Sequence, residues 1–417
     1  MTIDQSSESA LRAMFGGRFT AALAKLAYPL DFLIAFAQPQ RIHKFAIALP
    51  RDDGRTEFLP AWRLAMADVF GPSKGGVRFH RGVDEASLSV LAGRILLKCA
   101  VNGLPHGGAA GGVRVDASAL SQTELEALSR AYVAAVSDLI GEDRDILSPD
   151  LGTNARVMGW MADELRQRRG KWDLGAINGK LPAQGGVVGR HGATAAGARE
   201  VLEEVFRSTG GEIKSMTCAI QGFGAAGATL AQQLQVCGAR IVAVSDSSAG
   251  LYDANGLDVA DLAAHKERMR RIAAVEMRGA RHISSEDVLS VPADLVVAAA
   301  VGGQVDDAVA KRMTCKMVIE IANAAVTSDG EAVLAGRKIT VLPDVVVNAG
   351  GITVSHLEWT QNKAGLSLGE AEVRDRLSRR MREAARRMCE VAKAFDVPYT
   401  TASQIMAVER LKSAIKG

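Results

Sequence analysis

The segment Gly222-Phe-Gly224-Ala-Ala-Gly227 follows a strand-like apolar run, Met216–Gln221, and opens a helical stretch that ends at Gly238. Such a glycine triplet is weak evidence alone, but between a strand and a helix it has a specific physical use. The first glycine permits a tight turn, the second lets the backbone approach a pyrophosphate, and the third lets helix and strand pack closely. The helix N-terminus then favours the phosphate charge. Asp246 ends the next apolar run, Arg240–Ser245, 22 positions beyond Gly224, where a carboxylate can accept hydrogen bonds from a ribose 2′-hydroxyl. A carboxylate there repels a 2′-phosphate, and Ser245–Leu251 contains no Arg or Lys. The cofactor reading therefore favours NAD, with NADP left open.

Three further runs, Ala293–Ala300, Met317–Ala322 and Lys338–Leu342, alternate with helical stretches. That alternation predicts a doubly wound parallel sheet. Upstream, Lys44–Pro50 and Thr56–Met66 predict a strand hairpin turning at Asp53-Gly54. Ser121-x-x-Glu124 is a capping box, and Leu125, Leu128, Ala131, Tyr132, Ala135, Val136 and Leu139 continue at helical spacing toward Gly141. The glycine-rich stretch Lys180–Gly192 lacks helical period and marks a domain junction. The tail from Glu370 to Lys416 reads as helix, and its arginines (Arg374, Arg376, Arg379, Arg380, Arg382, Arg386, Arg387) as a solvated face or subunit contact, since no aromatics interleave them.

Composition narrows the partners. Lys+Arg 50 against Asp+Glu 47 leaves a net charge of +3, which gives no reason to expect a nucleic acid or an anionic membrane. The five cysteines form no CxxC pair, so reduced thiols are expected and no metal site. The most apolar stretch near the N-terminus, Leu26–Ala37, carries Pro29 and Asp31, and no apolar run approaches a membrane span. A cytoplasmic protein is the expectation.

Several stretches carry a family resemblance: Gly71-Pro-Ser-Lys74-Gly-Gly-Val-Arg-Phe-His80, Lys98 with Pro105-His-Gly-Gly-Ala-Ala110-Gly-Gly-Val113, and Ser148-Pro-Asp150-Leu-Gly-Thr. With Gly222–Gly227, Glu320-Ile-Ala-Asn323 and Leu342–Ser355, they resemble the glutamate dehydrogenase branch of the Glu/Leu/Phe/Val dehydrogenases, in unbroken order over roughly residues 40–417. The resemblance implies an α/β subunit of two domains. Residues 1–183 would form the substrate and oligomerisation domain, 184–345 a Rossmann-type dinucleotide domain, and 346–417 a helical return to the first. It implies a homohexamer that oxidises an L-amino acid to a 2-oxo acid and ammonia, moving hydride from the α-carbon to NAD or NADP. Carried onto matching positions, Lys98 would bind the α-carboxylate, and Lys74 and Ser355 the side-chain carboxylate. Asp150 would exchange the catalytic proton, Thr194 and Asn323 would contact the nicotinamide amide, and Asn348 would line the same pocket.

One departure dominates. Where the family's motif carries a catalytic lysine, this chain has Ala110. That amine activates water and stabilises charge on the carbinolamine oxygen, and losing such help costs about 10²–10⁴-fold in rate. Other departures, in Gly185–Ala195 and at Ala155, Ala225, Ala298, Gly303, Ile321 and Ala325, favour natural divergence over a single engineered alanine. Three readings stay open: a divergent dehydrogenase, with His106 as a candidate substitute for the amine; an imine reductase, which needs no lysine to process water; and a non-catalytic paralogue that binds NAD and a dicarboxylate.

Overall fold

Strand β1 (Arg41–Pro50) returns as β2 (Thr56–Ala65) in an antiparallel hairpin whose turn holds Gly54 at φ +82°. The computed structural model describes residues 38–415 together with Ala22, Lys25, Leu26 and Phe36. The stretch Leu26–Ala37 therefore lies largely outside the described residues. Two compact units partition the chain: 1–190 with 352–374 and 407–417, and 191–351 with 375–406.

In the first unit the hairpin is followed by β3 (Ser73–Phe79), α1 (Glu85–Val101), β4 (Gly107–Val113), α2 (Gln122–Val136), β5 (Asp145–Pro149) and α3 (Ala155–Arg169). The sheet order is β1-β2-β4-β3-β5, with β3 parallel to both neighbours. Helix α2 begins as expected, with Ser121 and Glu124 closing a reciprocal capping box. It ends at Val136 rather than near Gly141, because Gly141 is drawn into a bridge with Asp145. Leu128, Tyr132, Val133 and Val136 of α2 join Ile47, Leu49, Phe79, Val157 and Met161 in one core, where a fully buried aliphatic side chain contributes about 1.5–3 kcal/mol.

The glycine-rich strands are explained by what crosses them. Arg63 of β2 reaches over β4 and β3 to Asp145 of β5 in a buried bidentate pair, at 2.7 and 2.5 Å. A Cβ at Gly111 would lie 2.9 Å from Arg63 Cδ, so only glycine leaves that path clear. The opposite face, bearing Lys74, Gly108 and Ala110, is covered by α1: a Cβ at Gly108 would lie 2.8 Å from Leu96 N.

The second unit starts with α4 (Ala193–Thr209), then β6 (Thr217–Gln221), α5 (Ala225–Val236), β7 (Arg240–Ser245), β8 (Gly250–Tyr252), α6 (Val259–Met269), β9 (Arg281–Ile283), β10 (Leu295–Ala298), α7 (Asp307–Arg312), β11 (Met317–Glu320), α8 (Ser328–Gly336), β12 (Thr340–Leu342) and α9 (Asp344–Val347). All five apolar runs form parallel strands, in the order β12-β11-β10-β6-β7. The sheet continues into β8 and β9, both antiparallel; at three residues each they leave no alternating pattern to read. Helices α10 (Gly350–Ala364), α11 (Glu370–Phe395) and α12 (Tyr399–Ile415) complete the chain. Among the tail arginines, Arg382 donates to Glu200 of α4 at 2.5 Å and so braces α11 from within the second unit. Among the described residues no helix is long and apolar enough to cross a membrane.

Candidate active site

Successive residues of a strand face opposite sides, so β3 presents Lys74, Gly76 and Arg78 together. Register places Gly108 beside Lys74 and Gly112 beside Arg78 on β4, and Ile146 and Ser148 beside Lys74 and Gly76 on β5. Ala110 therefore belongs to the row of Gly76 and Ser148. Asp150, just past β5, stands over Gly76, where a Cβ would lie 2.7 Å from its own. Ala110 and the expected proton-exchanging carboxylate are thus both neighbours of Gly76.

Asp150 is anchored by the chain: its Oδ1 accepts from Arg78 Nη2 at 3.1 Å and from Leu151 N–H at 2.7 Å. Arg78 was not singled out from the sequence, yet a residue four positions after Lys74 on a strand must share its face.

Lys74 is 1% exposed, and its Nζ has no hydrogen-bond partner. Burial, reinforced by the Arg190 charge and only partly opposed by Glu358, lowers its pKa to about 7. Ser355, also buried, sits with its hydroxyl 3.4 Å from that of Ser148, and its carbonyl accepts from Asn178 Nδ2 at 2.7 Å. Glu358, one turn along α10, accepts from Gly179 N–H at 2.8 Å and from Lys180 Nζ at 3.1 Å, with Arg190 at 3.7 Å. Lys180 and Arg190 thus bring two cations to one anion, and the Lys74 amine feels all three charges while making no hydrogen bond of its own. Lys98 lies 8% exposed in the last turn of α1.

His106 does not replace the missing amine. It precedes β4, four residues from Ala110, or about 13 Å along an extended strand. It is fully buried, shares a 3.0 Å hydrogen bond with His356, and meets Trp359 edge-on at 5.0 Å. Burial, with the nearby charge of Lys74, holds its pKa down at about 2, so it stays neutral.

In the second unit, Gly222 adopts φ +98° and its N–H donates to Ser245 O. A Cβ at Gly227 would run into the Gly222 carbonyl, whereas one at Gly224 would meet nothing within 4 Å. The turn is thus tight inside and open above Gly224, at the N-terminus of α5, as a phosphate requires. Asn348 Nδ2 donates to Asn323 Oδ1 and Ile321 O, both at 3.0 Å, while its own Oδ1 is buried without a partner. That oxygen suits a carboxamide N–H. Thr194 lies beside Gly351, whose Cβ would come within 3.3 Å of its hydroxyl. The turn bearing Asn323 is fastened by Ala324 N–H to Asp344 Oδ2 at 2.9 Å and by Val326 N–H to Glu320 Oε1 at 2.8 Å. Asp246 pairs with Lys266 at 3.0 Å, a cation the sequence reading missed because it comes from α6 rather than from the loop.

Residues 185–417 match the Glutamate/Leucine/Phenylalanine/Valine dehydrogenase family, and residues 39–167 match its dimerisation domain. The NADP-specific glutamate dehydrogenase of Synechocystis is 36% identical, over 95% of each chain. A cryptic catabolic NAD-specific glutamate dehydrogenase of Bacillus subtilis is 35% identical, over 94% of this chain and 92% of its own. Among solved structures, the hetero-hexameric glutamate dehydrogenase of Thermus thermophilus in its leucine-bound form superposes with a TM-score of 0.92 at 32% identity, covering 100% of this chain and 98% of that one. With both halves of the chain matched, this protein belongs to the Glu/Leu/Phe/Val dehydrogenase family.

Proposed function

We propose that the chain is an NAD(P)-dependent amino-acid dehydrogenase of the glutamate type, interconverting a dicarboxylic L-amino acid with its 2-oxo acid and ammonia, slowed by the alanine at position 110. The observation that carries this reading is the buried, unpartnered amine of Lys74 on the strand next to β5, which bears Ser148, itself 3.4 Å from the Ser355 hydroxyl. An apolar substrate side chain offers that amine no counter-charge, so it binds less well than a second carboxylate. Lys98 takes the α-carboxylate. The nicotinamide, when bound, supplies the hydride acceptor, with Thr194, Asn323 and Asn348 holding its carboxamide. Asp150, steadied by Arg78, exchanges a proton with the amino or imino nitrogen. With no amine at 110, water attack on the imine proceeds without the family's cationic assistance.

Assembly as a hexamer accompanies this reading, supported by the matched dimerisation domain and by the hexameric relative, and a cytoplasmic location is part of the same proposal. A second reading is favoured by Ala110 itself, 3% exposed with no chemistry of its own: the chain serves as a binding subunit beside an active paralogue. The relative from Thermus thermophilus is a hetero-hexamer, so unlike subunits do assemble in a glutamate dehydrogenase.

Calorimetric titration with 2-oxoglutarate and with 2-oxo-4-methylpentanoate, in the presence of NADH, tests the substrate class. The dicarboxylate binds at least about tenfold more tightly, as loss of one charge-assisted contact implies; equal or reversed affinities contradict the assignment.

A further inference from the structure

A cavity of about 690 Å³ lies within the second unit, walled by the end of α4, the residues leading into β12, the last turns of α11 and the start of α12. Small-molecule sites enclose about 300–1,000 Å³. Strand β12 runs parallel to β11, β10 and β6. The cavity at its amino end and the Gly222–Gly227 turn at the carboxyl end of β6 therefore occupy opposite edges of the sheet.

Ile339, Val341, Ala392 and Val397 give the cavity an aliphatic lining. Thr400 lines it too and is fully buried, yet its hydroxyl has no hydrogen-bond partner, which is rare for a buried polar group. Thr400 belongs to the first turn of α12, where the first backbone bond runs from Ala402 N–H to Pro398 O. The N–H groups of Tyr399, Thr400 and Thr401 precede that bond and have no carbonyl within the helix to meet, and Pro398 has no side-chain oxygen to cap them. A helix start of this kind favours an anion. Lys338 and Lys393 stand on the same walls, and neither forms an ion pair with a described residue. The third cation there, Arg386, lies 3.9 Å from Glu204. Glu331 and Glu390 also line the cavity, so a dianion is repelled where a single negative charge is balanced.

We propose that this cavity binds an amphipathic monocarboxylate. Its carboxylate accepts from the N–H groups that open α12 and from the Thr400 hydroxyl, Lys338 and Lys393 balance its charge, and its aliphatic body lies along Ile339, Val341, Ala392 and Val397. The proposal stands apart from the glutamate reading, since none of these residues belongs to the dinucleotide or dicarboxylate positions.

The test is calorimetric titration of the full chain with octanoate, run with NADH and 2-oxoglutarate present so that the proposed substrate positions are filled. Octanoate binds at one site, and octan-1-ol and acetate, which lack the charge and the body respectively, bind at least about tenfold more weakly. Thr400→Val, which keeps the shape and removes the hydroxyl, weakens octanoate about tenfold, the loss of one charge-assisted contact. The double variant Lys338→Glu, Lys393→Glu changes only exposed positions and weakens it by at least as much. No octanoate binding, octan-1-ol binding as tightly as octanoate, or an affinity unchanged in the double variant overturns the proposal. Octanoate binding that disappears once 2-oxoglutarate is present also overturns it, by placing the probe in the substrate site.

Discussion

Arg78 donates to the carboxylate of Asp150 at 3.1 Å, and the two side chains are only about a quarter exposed. With Ala110 on the same sheet face, Arg78 is the cation paired with the proposed proton-exchanging group. Arg78→Met removes one of the two donors to Asp150 Oδ1. In an Ala110→Lys background it lowers kcat about tenfold or more, measured as NADH oxidation at saturating 2-oxoglutarate and ammonium. An unchanged kcat would show that Asp150 holds its position without Arg78.

Gly76 is the floor between Ala110 and Asp150. Gly76→Ala places a methyl 2.7 Å from Asp150 Cβ, so the carboxylate must shift. A misplacement of about 1 Å can cost on the order of 10²-fold in rate. Turnover of Gly76→Ala, Ala110→Lys should fall by that order against Ala110→Lys alone, while calorimetry still detects 2-oxoglutarate. Full activity would mean that Asp150 works from another position.

If Lys74 holds the substrate's side-chain carboxylate as proposed, dicarboxylate binding depends on pH. Its pKa, lowered by burial and by Arg190 to about 7, rises when an anion binds, so binding takes up a proton above neutrality. The dicarboxylate Kd should increase by up to about tenfold per pH unit above 7, one proton being linked, and titrations in buffers of different ionisation heat should show the uptake. Lys74→Met should abolish both effects.

The same shift has a stability consequence of fixed sign. Because the folded-state pKa lies below the unfolded value of 10.5, the unfolded chain holds more protons between about pH 7 and 10.5, and this group's contribution to stability rises with pH across that window. The difference in denaturant midpoint between the native chain and Lys74→Met should therefore shift in favour of the native chain from pH 7 to pH 9. A difference independent of pH would mean that Lys74 titrates normally.

Much of the site was legible in local spacing. Lys74, Arg78 and Asp150 lie in short motifs, and strand alternation alone sets Lys74 and Arg78 on one face. What was not legible depends on partners remote in sequence. His106 looked available until His356, 250 residues later, closed over it. Lys266 could not be foreseen as the partner of Asp246 because α6 delivers it from outside the 245–251 loop. Glu358 gave no sign that it would accept from Gly179 and Lys180, since a buried charge cluster is built by tertiary packing.

That cluster yields a further expectation. Glu358 is fully buried and accepts from two backbone N–H groups and Lys180. Glu358→Gln leaves the Lys180 ammonium without its counter-charge, and breaking such a buried pair costs about 3–5 kcal/mol. Urea denaturation should register a loss of that size; a loss below about 1 kcal/mol, the range of exposed pairs, would show that water reaches the cluster.

On the proposed reading, the chain holds a glutamate-type dehydrogenase site weakened at position 110. The most direct test of that reading is the rate of NADH oxidation with 2-oxoglutarate and ammonium, comparing the native chain with Ala110→Lys at equal protein concentration. The lysine variant should turn over about 10²–10⁴-fold faster, the usual range for a restored acid–base group. Equal rates in the two proteins, or no turnover in either while the dinucleotide still binds, would contradict it.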